Sequence, residues 1–159
     1  MPGCPERARF NPNISPLFNP RINPKGNAAL SPRFNSLLNP MRNITIHPKF
    51  CRVMDPLSNT SLNPFENPSL DPKKTDQYSG LCRWTPDSEL AGYVVNTPNK
   101  GVFLLFDLQL EWVAFAVDNK RQGYNLFGVA GEWKGYLLKN AAGSLNEFNL
   151  EDDWAGIIM

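Results

Sequence analysis

From residue 16 to residue 72 a proline falls on every eighth position: Pro16, Pro24, Pro32, Pro40, Pro48, Pro56, Pro64 and Pro72. The interval never slips. The unit reads apolar, then Asn, Ser, His or Asp, then Pro, then x-x-Asn-x-x. A period this strict gives each unit the same local shape and lets it lean on its neighbours, as in stacked or spiral arrays.

The column before the turn residue is Ile14, Ile22, Leu30, Leu38, Ile46, Met54, Leu62 and Leu70. It is apolar throughout, so one continuous ridge must be buried. The next column is Ser15, Asn23, Ser31, Asn39, His47, Asp55, Asn63 and Asp71. These side chains start turns by accepting from the backbone two residues on, and the following proline presets φ for the first corner. A second turn starter recurs at Asn19, Asn27, Asn35, Asn43, Asn59 and Asn67. Each octad is therefore two turns.

Phe18, Phe34 and Phe50 recur at every second octad, which predicts a β-solenoid-like coil of two octads. Four such coils would stand roughly 20 Å tall at about 4.8 Å per layer. An extended polyproline-like arm, nearly 200 Å long at about 3.1 Å per residue, is the competing form. A disordered Pro/Asn linker is the third. An unbroken apolar column has no use in a linker, and this favours order. Lys25, Arg33, Lys49 and Lys73 form a basic stripe. It reads as a solvated face, too sparse and too poor in interleaved aromatics for nucleic acid.

After Gly80 the period changes to 22, 21 and 21 residues. Trp84, Phe106, Phe127 and Phe148 open four aligned segments. Six residues on stand Leu90, Trp112, Trp133 and Trp154, each preceded by an acid: Glu89, Glu111, Glu132 and Asp153. Two further on are Gly92, Ala114, Gly135 and Gly156. Aromatic and β-branched runs separated by short polar turns read as a β-hairpin in each unit. Four hairpins about a pseudo-fourfold axis would set Leu90 and the three tryptophans in one layer, the small residue leaving room for a neighbouring indole. The predicted fold class is all-β: a lead-in (1–13), an octapeptide-repeat arm (14–77) and a four-hairpin antiparallel shallow barrel (80–159).

The pattern of residues 127–136, Phe-x-Val-x-x-Glu-Trp-x-Gly-Tyr, resembles the bacterial four-fold β-flower proteins. The Asn-Pro octads of residues 30–40 are also similar to the N-terminal segments of that family. The resemblance implies a shallow four-hairpin barrel carrying an octapeptide arm. It brings no established activity and no catalytic residues. Unit one departs from the pattern with Leu90 for Trp and Thr85-Pro86 in its turn.

Catalytic chemistry is hard to find. His47 is the one histidine, and it stands where Asn or Ser serves the turn elsewhere. There is no Cys-x-x-Cys, phosphate loop or nucleophile elbow, so the groups for hydrolysis or redox work are missing and no cofactor is expected. Two sites come under consideration. Under fourfold symmetry Glu89, Glu111, Glu132 and Asp153 would form a ring able to hold a hard cation, against the simpler reading of solvent-facing rim acids. Trp112, Trp133 and Trp154 would suit a small ligand or sugar if their faces were open.

Ten Lys and Arg stand against five Asp and Glu before residue 80, and six against ten after it. Such asymmetry can steer association. The expected role is a non-enzymatic structural or self-assembly protein, partnered by its own copies in oligomers or filaments. The alternative is a binding module whose head takes a small ligand, glycan, lipid or protein while the arm is a spacer. Three widely spaced cysteines and a polar start predict a cytoplasmic setting, with non-classical export left open. No run is long and apolar enough to span a membrane. The triplets at Asn13, Asn43 and Asn59 match the glycosylation pattern by composition alone.

Overall fold

The computed structural model describes residues 4–76 and 80–159. The first three residues of the expected lead-in and residue 77 of the arm lie outside the described residues.

The C-terminal half is a closed antiparallel barrel of eight strands in simple chain order. They are β1 (Cys82–Trp84), β2 (Leu90–Asn96), β3 (Val102–Phe106), β4 (Trp112–Asp118), β5 (Gly123–Gly128), β6 (Trp133–Lys139), β7 (Leu145–Asn149) and β8 (Trp154–Ile158). Closure is made where Arg83 and Trp84 of β1 pair with Ile158 and Ile157 of β8. No sheet edge is left open, which removes the usual route to edge-to-edge aggregation.

The 22/21/21 period is visible in the backbone. Each hairpin carries one bulge at the same place: Arg83/Trp84, Leu105/Phe106, Leu126/Phe127 and Glu147/Phe148. A bulge adds local twist and bend, and four of them at equal intervals curl eight short strands into a ring. Opposite each bulge lies the column containing the three tryptophans. The indoles of Trp112, Trp133 and Trp154 donate to the carbonyls of Ala114, Gly135 and Gly156 at 2.8, 2.9 and 2.9 Å.

The small column is set by backbone approach. A Cβ on Gly92 would stand 2.2 Å from the Phe106 carbonyl oxygen, and one on Gly135 would stand 2.3 Å from that of Phe148. The space expected for a neighbouring indole is thus taken by the bulge carbonyl of the next hairpin.

Alternation gives the barrel two apolar faces. Val94, Phe103, Leu105, Ala114, Ala116, Leu126, Leu137 and Ile158 pack together inside it. Val95, Val102, Leu104, Phe106, Trp112, Phe115, Val117 and Phe127 form the outer set, and Leu62 and Leu70 of the arm join them. A strand apolar on both faces must be covered on both, and here the octads are the second cover.

Among the described residues the arm forms single 3-10 turns, such as Ala28–Leu30, Ser36–Leu38 and Thr60–Leu62, and no strand. The sixteen-residue β-coil is not what it builds. Its asparagines explain why. Asn35 accepts from the Leu37 amide and donates through Nδ2 to the Ala29 carbonyl at 2.9 Å. Asn43 and Asn67 repeat both bonds, with their Nδ2 donating to Leu37 and Ser61. Asn39 and Asn63 reach back to the Pro32 and Pro56 carbonyls. Backbone groups are thereby satisfied locally, and proline has no amide to offer a ladder.

The organising period of the arm is three octads. Asn146 Nδ2 of β7 donates to the Ile14 carbonyl at 2.6 Å, and Asn125 Nδ2 of β5 donates to that of Leu38 at 3.4 Å. Leu62 then meets the outer cluster of β3, where Leu104 holds the equivalent position. Twenty-four arm residues accompany each 21-residue step, so the arm runs round the barrel against the strand order. Pro16, Pro24, Pro32, Pro40, Pro48, Pro56 and Pro64 are buried beneath it and Pro72 is half-buried. Ile14, Leu38, Ile46, Leu62 and Leu70 are buried as well and Ile22, Leu30 and Met54 are half-buried, so the expected continuous ridge is buried in part, while Phe18, Phe34 and Phe50 point outward.

Truncation of Leu62, which is 1% exposed, removes part of a shared core. Leu62→Ala is expected to cost about 2–5 kcal/mol in denaturant unfolding. Phe34→Ser, on the outward column, should stay within about 0.5 kcal/mol of wild type.

Candidate functional site

Fourfold placement does not gather the rim acids. Glu89, Glu111, Glu132 and Asp153 are all exposed, and no group of three or more His, Cys, Asp or Glu able to hold a metal exists among the described residues. Two of the acids are taken by the arm. Lys73 bonds Glu111 and Lys25 bonds Asp153, while Arg9 pairs with Asp87 at 2.9 Å. The Glu111 bond raises the Lys73 pKa, and the Lys25 bond lowers that of Asp153. These are exposed pairs and weak individually. Together they show where the opposite charges of the two halves go: they meet within one chain.

The tryptophans are joints between barrel and arm. Trp112 is buried, its indole N–H is bonded, and Phe65 stands edge-on to it at 5.5 Å. Trp133 and Trp154 are half-buried, and Trp133 also donates to Asn125 at 3.2 Å. Two stacked ring pairs repeat one unit apart, Phe115 with Phe127 and Tyr136 with Phe148, at 5.5 and 5.4 Å. The Tyr136 hydroxyl donates to Asp152, which also accepts from Ser31 of the arm at 2.8 and 2.9 Å. Burial, with the Asp152 bond second, pushes the Tyr136 hydroxyl well above its ordinary pKa. It acts as a lock between arm and hairpin turn.

His47 behaves as an octad turn residue. Its Nδ1 accepts from the Lys49 amide at 3.1 Å, and its ring lies 5.4 Å from Phe127. Burial, then the nearby Lys49 charge, lowers its pKa.

The constellation that the residue pattern did not flag lies inside the barrel, where the column preceding the opening aromatic reads Arg83, Leu105, Leu126 and Glu147. Arg83 grips Glu147 through Nε–Oε1 at 2.7 Å and Nη2–Oε2 at 2.5 Å. Burial works against the Arg83 charge, and the Glu147 bonds more than offset it, leaving its pKa raised. A cavity of about 230 Å³ opens beside this pair, lined also by Leu105, Val113, Leu126 and Lys134. The signal was available: two opposite charges stand in a column otherwise filled by leucine.

Among the described residues no helix is long and apolar enough to cross a membrane. Compared with protein-family models, curated proteins and solved structures, the chain matches none. The fold defines its class: an all-β protein with a closed eight-stranded barrel.

Because the His47 pKa is lower folded than unfolded, the unfolded chain binds the extra proton. Its contribution is present above pH about 6.5 and is lost as pH falls through the lower folded value. His47→Asn should keep the turn and lose this component. The wild-type minus variant difference in unfolding free energy is expected to fall between pH 7.5 and 5 and to be flat above 7.5.

Proposed function

We propose that the protein is a non-enzymatic structural module that self-associates through the outer face of its arm. The observation that carries this reading is the apolar row left facing solvent there. Phe18, Phe34, Phe50 and Phe65 are 56, 69, 62 and 73% exposed, with Leu37, Met41 and Ile44 between them. Exposed apolar groups in such a row are what an interface uses. A second copy is the favoured occupant because it presents the same outward apolar groups, so like segments of two arms can pack side by side.

The arm is wrapped on its own barrel and its charges are partly met there, so assembly by this route needs no unwrapping. Oligomers or filaments follow according to whether the contact closes on itself. The kinship with β-flower proteins belongs to the same reading, supported by the four equivalent hairpins under an Asn-Pro arm.

Sedimentation velocity decides it. The wild type should show a concentration-dependent shift to larger species. Phe18→Ser/Phe34→Ser/Phe50→Ser should remain monomeric with an unchanged unfolding midpoint. A wild type that stays monomeric at several hundred micromolar removes the proposal.

A further inference from the structure

We propose that the mouth of the barrel binds a small zwitterion, of the class of a free α-amino acid with an apolar side chain. The argument begins with an internal control. Arg83, Leu105, Leu126 and Glu147 hold equivalent places in four equivalent hairpins, each one residue before the bulge aromatic. Leucine fills that place twice, so the fold accepts an apolar side chain there. A buried ion pair is seldom more stabilising than well-packed apolar residues, because desolvation cancels most of the attraction. The pair is therefore surplus to folding.

Beside it the interior is not filled. The cavity of about 230 Å³ has Leu105, Val113, Ala114 and Leu126 on its walls and Arg83, Glu147 and Lys134 as charged groups. That is below the usual 300–1,000 Å³ of drug-sized pockets, which limits the ligand to metabolite size.

A second charge couple stands beside it: Lys134 lines the cavity, and Glu132 shares the space over Gly128 with it. A Cβ on Gly128 would fall 1.7 Å from Glu132 Oε1 and 3.0 Å from Lys134 Cε, so both side chains fold over the place that glycine leaves vacant. Neither Glu132 nor Lys134 forms an ion pair among the described residues. The positions equivalent to Lys134 are Ala91, Val113 and Ala155. The site thus offers Lys134 and Glu132, neither ion-paired, beside the Arg83–Glu147 pair and an apolar wall. A ligand carrying one carboxylate and one ammonium meets both signs: its carboxylate turns to Lys134 and Arg83, its ammonium to Glu132 and Glu147, and its side chain to the leucines. A singly charged ligand leaves one member of the unpaired couple uncompensated in a site it has desolvated.

Isothermal titration of the full chain with L-leucine, L-valine, isovalerate and isoamylamine tests this. Leucine or valine should bind saturably at low millimolar or tighter, with isovalerate and isoamylamine at least about tenfold weaker. Lys134→Gln and Glu132→Gln should each weaken leucine binding about tenfold at unchanged unfolding midpoint. Arg83→Leu/Glu147→Leu should stay folded, as the two leucine-bearing hairpins show, and should lose binding. Absence of saturable heat with all four ligands overturns the proposal. So does isovalerate binding as tightly as leucine, or leucine binding that the four substitutions leave unchanged.

Discussion

The structure depends on burial of the octads' apolar residue and proline against the outside of the barrel. Strands β3 to β6 are apolar on both faces, so a bare barrel would leave Phe106, Phe115 and Phe127 in water. The arm has the converse problem, since single 3-10 turns bury little of themselves and cannot hold one shape alone. Each half supplies the surface the other lacks. Proline strengthens the bargain by limiting the unfolded chain at eight places while putting an apolar ring on the contact face.

Polar contacts then set the register. Asn146 and Asn125 reach from equivalent places on β7 and β5 to the Ile14 and Leu38 carbonyls, and these bonds fix three octads to one hairpin. The hairpin turns add Arg9 with Asp87, Lys25 with Asp153 and Lys73 with Glu111. The opposite net charges of the two halves are accordingly an intramolecular feature. What remains outward is the phenylalanine row, whose sixteen-residue recurrence belongs to the exterior of the arm and not to its internal coil.

The barrel keeps its fourfold plan where the backbone is at stake and departs from it inside. The bulge recurs in every unit, and a close carbonyl approach recurs at Gly92, Gly135 and Gly156, because closing the ring requires the bend. The layer of Arg83, Leu105, Leu126 and Glu147 is under no such demand, and there the units differ. Departures from a repeat at positions the fold would accept unchanged are where a site can be built without unsettling the scaffold.

Much of this was legible in the residues. Both periods, the hairpin in each 21-residue unit, the burial of Ile14, Leu38, Ile46, Leu62 and Leu70 and the turn role of His47 follow from local rules of proline, asparagine and strand alternation. What the apolar column packs against is not a local property. Phe18, Phe34 and Phe50 pointed to a self-stacked coil because a one-dimensional pattern cannot say whether a ridge meets its own next turn or another surface. Equally, Glu89, Glu111, Glu132 and Asp153 align in sequence as a ring, yet the rim side chains do not converge, and Glu111 and Asp153 find arm lysines. The match of 24 arm residues to 21 barrel residues, and the meeting of Arg83 with Glu147 across the closure at β8, exist only once the ring is shut. Sequence determined the shape of each unit; tertiary structure decided the partner, because burial rewards whichever apolar surface is complementary and within reach.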